Sequence, residues 1–133
     1  MKVYESRFLQ VKYFAEHNVH ENIWLPATAS MEEEEYQAES LAFLDIILQN
    51  KPKRFVADTR EMVFPITPEL QTWTNEHILI PIIHTGLEKV AFVVSKEFIT
   101  QLSIEQTMEE EQGSKLTTRY FEDRETAWNW LIA

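Results

Sequence analysis

The sequence predicts an α/β domain in which a mixed, mainly parallel sheet is covered by packed helices. Two observations indicate this class: short apolar runs alternate with segments of helical periodicity, and most of the helical segments follow a strand. A helix that connects two strands of one sheet usually makes a right-handed parallel crossover. The predicted order is ββαβαβαβα, with about five strands and an antiparallel hairpin at the beginning.

The first predicted elements are this hairpin and a helix. Residues 8–15 and 19–25 are rich in β-branched and aromatic residues and are joined by a polar turn. Ser30 with Glu33 matches the capping-box pattern, which predicts that the helix begins after Ser30. Apolar residues at helical spacing predict the stripe that packs on the sheet: Leu41, Leu44, Ile47 and Leu48.

The next predicted elements are a central strand and a second helix. Phe55 to Asp58 is a nearly all-apolar run, which is typical of a strand covered on both faces. Thr67 and Pro68 predict the cap and the first turn of a helix over 68–85. Pro81 cannot donate a backbone hydrogen bond, so we expect it to kink that helix.

Two further strands and helices complete the pattern. The strands are predicted at 89–94 and 116–121. Ser95 is the expected cap of a helix over 96–111, and Asp123 is the expected cap of a terminal helix.

Composition and charge restrict the function. The 133 residues fit one domain, 1–133, and the net charge of −10 argues against nucleic acid as a ligand because it is a polyanion. The absence of cysteine excludes thiol chemistry and fits a reducing compartment. The N-terminus lacks an apolar signal core, and the most apolar run, 78–83, is too short to span a bilayer. We therefore expect a cytoplasmic protein without stable membrane insertion.

The four histidines do not predict a metal site. His77 and His84 are separated by about 10 Å along a helix, which is too far to share one zinc ion. His17 and His20 flank a turn, and there is no cysteine to complete a ligand set. We expect no metal and no cofactor, and we expect His77 to be a partly buried residue of the helix stripe.

The polar groups that follow the central strand mark the candidate site. In parallel sheets the carboxyl ends of strands and the helix starts that follow them form the usual crevice for ligands or partners. Asp58 and Arg60 are suited to orient a ligand or an interface, although an Asp at this position also commonly accepts hydrogen bonds from loop amides. Met62 and Phe64 are apolar for a loop, which predicts an exposed docking surface centred on Arg60, Met62 and Phe64.

Several short motifs resemble those of a known family. They are Asp58-Thr59-Arg60, Gly86-Leu87-Glu88-Lys89-Val90-Ala91, and Tyr120-Phe121-Glu122-Asp123 with Ala127 and Trp130-Leu131. Together with the order of elements, these motifs resemble those of STAS-fold proteins. Within that fold family, the chain is most similar to the anti-sigma factor antagonist-like group. The resemblance implies a non-catalytic regulatory module that docks on a protein partner. It also implies control by phosphorylation of a hydroxyl at the start of the helix after the central strand.

Thr67 is the candidate phosphoacceptor at that position. Ile66 and Pro68 stand where regulated members of the family carry a carboxylate and a hydroxyl, so the match is partial. Helix capping, worth about 1 kcal/mol, explains a Thr before Pro-Glu by itself. A phosphate at a helix N-terminus would nevertheless gain from the helix dipole and the free amides.

Two functions therefore remain open from the sequence. The first is protein docking through the loop 59–66 and the start of the following helix. The alternative is binding of a small apolar ligand or lipid between helix 68–85 and the sheet, in a pocket that includes Trp73, His77 and Ile80. Enzymatic activity is not expected, because a chain with only two glycines has neither a Gly-flanked Ser nor a phosphate loop.

Overall fold

The computed structural model describes residues 1–133 as helices packed on both faces of one sheet of six strands. The strands are β1 (Lys2–Glu5), β2 (Leu9–Phe14), β3 (Val19–Trp24), β4 (Arg54–Asp58), β5 (Lys89–Val93) and β6 (Thr117–Phe121). The helices are α1 (Glu33–Asn50), α2 (Pro68–Thr74), α3 (Ile80–His84), α4 (Phe98–Glu109) and α5 (Arg124–Ile132).

The strands lie side by side in chain order. β1, β2 and β3 pair antiparallel, and β3, β4, β5 and β6 pair parallel. The predicted α/β class, the N-terminal hairpin and the mainly parallel sheet are confirmed. The number of strands differs, because β1 adds a sixth at the edge of the hairpin. Its four residues, Lys2 to Glu5, are mostly exposed and form no apolar run that would have predicted a strand.

The first helix begins later than predicted. A 3₁₀ turn occupies Pro26–Ser30, and the hydroxyl of Ser30 donates to the carbonyl of Ala27 instead of capping α1. The capping box consists of Glu32 and Glu35, with the Glu32 amide 2.8 Å from the Glu35 carboxylate. The capping prediction was therefore wrong by two residues.

The buried face of α1 also differs from the predicted stripe. Leu44 and Ile47 are buried, but Leu41 and Leu48 are exposed. The buried positions include Tyr36, Phe43, Leu44 and Ile47, which follow helical spacing on the face towards the sheet. The two exposed leucines lie off this face because the aromatic side chains of Tyr36 and Phe43, rather than the leucines, set its direction.

The second helix accommodates Pro81 through a wider turn. Five residues, Asn75–Leu79, form a π-helical segment between α2 and α3, and the Ile80 amide donates to the carbonyl of Asn75. This shift of hydrogen-bond register occurs immediately before the proline, which has no amide proton to give. The three segments together form the predicted helix 68–85, which ends before Gly86.

The start of α4 also differs from the prediction. Glu97, and not Ser95, is the N-cap, and its carboxylate accepts from the amides of Ile99 and Thr100 at 2.9 Å. Ser95 instead accepts from the amide of Glu97 and donates to the carbonyl of Met62. At α5 the predicted cap is confirmed, since Asp123 accepts from the amide of Thr126.

The two faces of the sheet carry cores of different size. A cluster of 22 buried residues fills the face covered by α1, α2, α3 and α4. On the opposite face α5 packs on a cluster of six, built from Val19, Val56, Ala91, Val93, Ala127 and Leu131. None of the helices combines the length and the apolar composition that crossing a membrane requires.

Candidate functional site

Asp58 and Arg60 form an ion pair where β4 ends. The Asp58 carboxylate accepts from the Arg60 guanidinium at 2.7 and 3.0 Å and from the Arg60 amide at 3.2 Å. Asp58 is buried, whereas 40% of the Arg60 side chain is exposed. Hydrogen bonds to Asp58 and the charge of its carboxylate raise the pKa of Arg60. The pair therefore presents a permanently charged, oriented guanidinium at the carboxyl edge of the sheet.

The loop 59–66 is fixed by hydroxyl groups from two neighbouring segments. Three of its amides donate to side-chain oxygens at 2.9 Å: Val63 to Thr28, Phe64 to Thr100, and Ile66 to Ser103. The hydroxyl of Ser95 adds a bond of 2.9 Å to the Met62 carbonyl. Because a buried unpaired amide is costly, these bonds determine which side chains of the loop face inward.

Met62 and Phe64 face the core, so the prediction that they are exposed is wrong. Only 2% of Met62 and 8% of Phe64 is accessible to solvent. The Phe64 ring stacks on Tyr36 with centroids 5.2 Å apart. The physical reason is alternation, because Met62, Phe64 and Ile66 point inward while the residues between them point outward.

Thr67 caps the helix that begins at Pro68. Its hydroxyl oxygen accepts from the Leu70 amide at 3.3 Å, as the capping prediction states. The residue is half-buried. Its assignment as a phosphoacceptor remains a prediction.

A cavity lies between the second helix and the sheet, but its lining differs from the prediction. Trp73, His77 and Ile80 are not among the lining residues. Trp73 is half-buried and packs edge-on against Tyr36, and Ile80 is also half-buried. Trp73 stacks on His77 with ring centroids 5.3 Å apart, and His77 is exposed where a partly buried residue was expected. From this helix the cavity is lined by Thr74, Ile78, Leu79 and Ile82.

The size of the cavity limits what it can hold. Its volume is about 90 Å³, and 15 of its 19 lining residues are hydrophobic. A water molecule occupies roughly 30 Å³ of liquid, and a pocket for a drug-sized ligand measures roughly 300–1,000 Å³. A cavity of this volume therefore has room for a small ring and is too small for an acyl chain.

His20 lies in the core and not in the turn where it was expected. It is fully buried on β3, and its Nε2 atom is 2.8 Å from the side-chain oxygen of Asn22, which lines the cavity. Burial lowers the pKa of His20 to about 4, although the bond to Asn22 opposes the shift. Its Nδ1 atom has no partner. No group of three potential metal-ligating side chains comes together anywhere in the structure.

An ion pair that sequence reasoning missed connects the sheet to α5. The carboxylate of Glu21, fully buried on β3, accepts from the Arg124 guanidinium at 2.6 and 3.1 Å. The guanidinium also lies over the ring of Trp128 at 4.9 Å. A signal was present in the sequence: Glu21 falls between Val19 and Ile23 on the strand face that packs against the terminal helix, and a buried carboxylate needs a cationic partner.

The outer face of α4 carries exposed apolar residues that the sequence reasoning also missed. Phe98 is 73% exposed, Ile99 52% and Leu102 41%. The buried face of the same helix contains three hydroxyl residues, Thr100, Ser103 and Thr107. Ile104 and Met108 share this buried face. Two of the hydroxyls, those of Thr100 and Ser103, face inward because they accept from amides of the loop 59–66. The sequence did contain a signal for this face, because the hydroxyl residues Thr100, Ser103 and Thr107 recur at positions i, i+3 and i+7 of the helix.

This apolar face lies beside the Asp58–Arg60 pair. The amide of Lys96 donates to the carbonyl of Arg60 at 3.3 Å, which holds the start of α4 against the loop. Lys96 also forms an exposed ion pair with Glu61 at 3.1 Å. Val63, 39% exposed, contributes an apolar side chain from the loop.

A comparison with known protein families agrees with the resemblance of the sequence motifs. A family model described as SpoIIAA-like matches residues 23–132, which is most of the chain. The match agrees with the STAS-type resemblance of the sequence motifs and begins within β3. No curated protein and no solved structure matches the chain.

Proposed function

The chain belongs to the SpoIIAA-like family, and we propose that it is a non-catalytic regulatory module that docks on a protein partner through the carboxyl edge of its sheet. The docking surface consists of the exposed part of the loop 59–66, the start of the second helix and the adjoining α4. Its charged centre is the Asp58–Arg60 pair. Met62 and Phe64 support the surface from beneath and do not contact the partner.

The observation that carries this proposal is an oriented guanidinium beside exposed apolar side chains. Arginine and aromatic residues are enriched at protein interfaces. Here Arg60 is held in one geometry by Asp58, and Val63 and Phe98 lie on segments that hydrogen bonds join to it. A rigid surface of this composition loses little conformational entropy when a partner binds.

The buried carboxylates on the α5 face of the sheet support a non-catalytic role. Asp58 is paired with Arg60, and Glu21 is paired with Arg124. A carboxylate paired with a cation is a weaker general base than a free one, because the cation favours its ionised form. These two carboxylates therefore have structural roles, and the edge that they support presents a surface for contact.

We further propose that phosphorylation of Thr67, if it occurs in the cell, regulates this docking. A phosphate there would replace the cap bond to Leu70 and would add negative charge beside Glu69 at the start of the helix. The intact mass of the protein purified from its own cells tests this. A phosphate increment that maps to Thr67 supports the switch, and an unmodified mass assigns Thr67 to capping alone.

The docking proposal is tested by capture of partners from the protein's own cells. The variant Val63→Asp places a charge on the proposed surface, and Leu41→Asp places the same charge on the outer face of α1 at a similarly exposed position. We expect Val63→Asp to reduce capture of the specific partner at least tenfold and Leu41→Asp to leave it unchanged. Equal capture by both variants and the native protein would overturn the proposed surface.

The cavity favours a second candidate function, the binding of a small apolar molecule. With a volume of about 90 Å³, it is suited to one ring-sized ligand. Native mass spectrometry of the protein from its own cells, together with melting in benzene-saturated buffer, tests this candidate. A bound mass or a raised melting temperature supports it; an unliganded mass with unchanged melting leaves the docking module as the sole function.

A further inference from the structure

We propose that the outward stripe of α4, formed by Phe98, Ile99, Leu102, Glu105 and Glu109, binds a basic amphipathic segment of the protein partner. This inference rests on the proposed docking function and specifies the chemistry of the partner. The stripe is apolar in its first half and acidic in its second half.

The geometry of α4 places these residues in one line. Phe98, Leu102, Glu105 and Glu109 occupy positions i, i+4, i+7 and i+11, which share one face and span about 16 Å. Ile99 lies beside them. The rotation of the helix is fixed from the other side, because Thr100 and Ser103 accept hydrogen bonds from the loop. The apolar side chains therefore cannot turn inward without leaving two buried amides unpaired.

The exposed apolar cluster is not explained by the stability of the fold. Phe98 makes no aromatic contact and is 73% exposed, while the first turn of the helix is already secured by the Glu97 cap. Neighbouring exposed apolar residues with a polar rim mark interaction sites on soluble proteins. A partner would remove Phe98, Ile99 and Leu102 from water.

The charge of this segment determines which partner fits. Residues 97–114 contain five glutamates and no lysine, arginine or histidine. Glu105 and Glu109 face the same region as Tyr120, where burial and the two carboxylate charges raise the pKa of the tyrosine to about 12. The local field is therefore negative along the second half of the stripe, and it favours lysine or arginine on the partner.

The same charges disfavour the other occupants of an apolar helix face. An anionic lipid surface or a nucleic acid would be repelled by the glutamates. A second copy of the chain would bring two acidic stripes together, and each copy carries a net charge of −10. The fitting partner has apolar residues one turn apart, followed after one or two turns by basic residues.

Photo-crosslinking tests this inference in the intact protein and in its own cells. The amino acid p-benzoylphenylalanine replaces Phe98, which keeps an aromatic side chain at the exposed position, and in a matched control it replaces Leu41. We expect crosslinks from position 98, and none from position 41, to a partner segment with net positive charge and apolar residues. Crosslinks to lipid, to another copy of this chain, or to an acidic or uncharged segment would overturn the proposal.

A synthetic peptide of the crosslinked segment then tests the charge contribution. Glu105→Gln with Glu109→Gln should weaken binding of this peptide at least fivefold at low salt and reduce its salt dependence. The control pair, Glu33→Gln with Glu34→Gln at the start of α1, should bind as the native protein does. Equal affinity of both double variants would contradict the electrostatic part of the inference.

The two proposals fail separately. If Val63→Asp abolishes capture but position 98 gives no crosslink, the α4 inference is wrong and the docking function stands. If capture is insensitive to Val63→Asp and position 98 gives no crosslink, both proposals are wrong.

Discussion

Two apolar clusters lie on neighbouring segments at the carboxyl edge of the sheet, and they face in opposite directions. Met62, Phe64 and Ile66 in the loop are buried, although loops usually present their side chains to solvent. Phe98, Ile99 and Leu102 in a helix are exposed, although helices usually bury such residues. The inner cluster belongs to the core, and the outer cluster is available for contact.

The two clusters face in opposite directions because of how the backbone amides of the loop form their hydrogen bonds. The loop has no strand or helix partner, so its amides use Thr100 and Ser103 of α4 as acceptors. Those hydroxyls must therefore face inward. With the helix in this rotation, Phe98, Ile99 and Leu102 lie on its outer side. The requirement for paired amides thus fixes the rotation of α4, but it does not require apolar residues on the outer face of that helix.

The largest expected effect is the difference in free energy of unfolding between truncations in the two clusters. Phe64→Ala should lower the free energy of unfolding by about 3–5 kcal/mol, because it removes a buried aromatic ring that stacks on Tyr36. Urea unfolding measures this change. Phe98→Ala, a truncation of the same residue type on the exposed cluster, is the control, and it should change stability by less than about 0.5 kcal/mol. Similar losses in the two variants would contradict the comparison.

The pH dependence of stability tests whether the larger core, where His20 packs against Phe43 and Phe55, is closed to water. The pKa of buried His20 is about 4, below its ordinary value of 6.5, so the unfolded chain binds the proton first as the pH falls. This group should therefore reduce the free energy of unfolding by roughly 3 kcal/mol between pH 7 and pH 4. The contribution is fully present above about pH 6.5 and is lost as the pH falls towards 4.

The contribution of His20 is isolated by comparison with His20→Gln. This variant should be less sensitive to acid than the native protein over the same range, and His77→Gln, at an exposed position, should follow the native profile. Parallel profiles for the native protein and His20→Gln would mean that water reaches the imidazole.

A smaller effect is expected from the hydroxyls that hold the loop. Thr100→Val removes the acceptor of the Phe64 amide and should cost about 2 kcal/mol, because the amide is left unpaired in the core. Thr107→Val in the same helix is the control, since that hydroxyl donates only to the carbonyl of Ser103. Urea unfolding should therefore show a smaller loss for Thr107→Val. Equal losses would mean that the loop does not depend on these acceptors.

The smallest effect on stability is expected where the effect on binding is greatest. Phe98→Asp combined with Leu102→Asp should leave the free energy of unfolding within about 0.5 kcal/mol of the native value, because both side chains are exposed. An acidic residue in the first turn of a helix also suits the helix dipole. A loss of several kcal/mol would show that the outer cluster is part of the fold.

Most of the fold could be predicted from the sequence because the strong local signals agree with the packing. The runs at β4 and β5, the Thr67–Pro68 helix start and the Asp123 cap all lie where the pattern indicates. β1 was missed because a short, exposed edge strand needs no apolar run. The cap of α1 was misplaced because two overlapping capping patterns exist, and the 3₁₀ turn after Pro26 selects the second.

The candidate site was predicted less well, because the direction in which a side chain points depends on contacts with residues distant in sequence. Asp58 and Arg60 lie where the order of elements indicates, but nothing local shows that Phe64 points at Tyr36. The predicted pocket residues do not line the cavity, and the π-helical segment, which changes the angular relation between Trp73 and the residues after it, has no signal in the local pattern. The Glu21–Arg124 pair joins residues 103 positions apart and required the fold to be known.

One measurement tests the division between the two clusters most directly. The partner captured from the protein's own cells is titrated by calorimetry against the native protein, Phe98→Asp and, at a temperature where it remains folded, Phe64→Ala. We predict that Phe98→Asp binds at least tenfold more weakly at unchanged stability, whereas folded Phe64→Ala binds as the native protein does. Native affinity for Phe98→Asp, with lost affinity for folded Phe64→Ala, would contradict this division, because the partner would then depend on the buried cluster of the loop and not on the exposed cluster of α4.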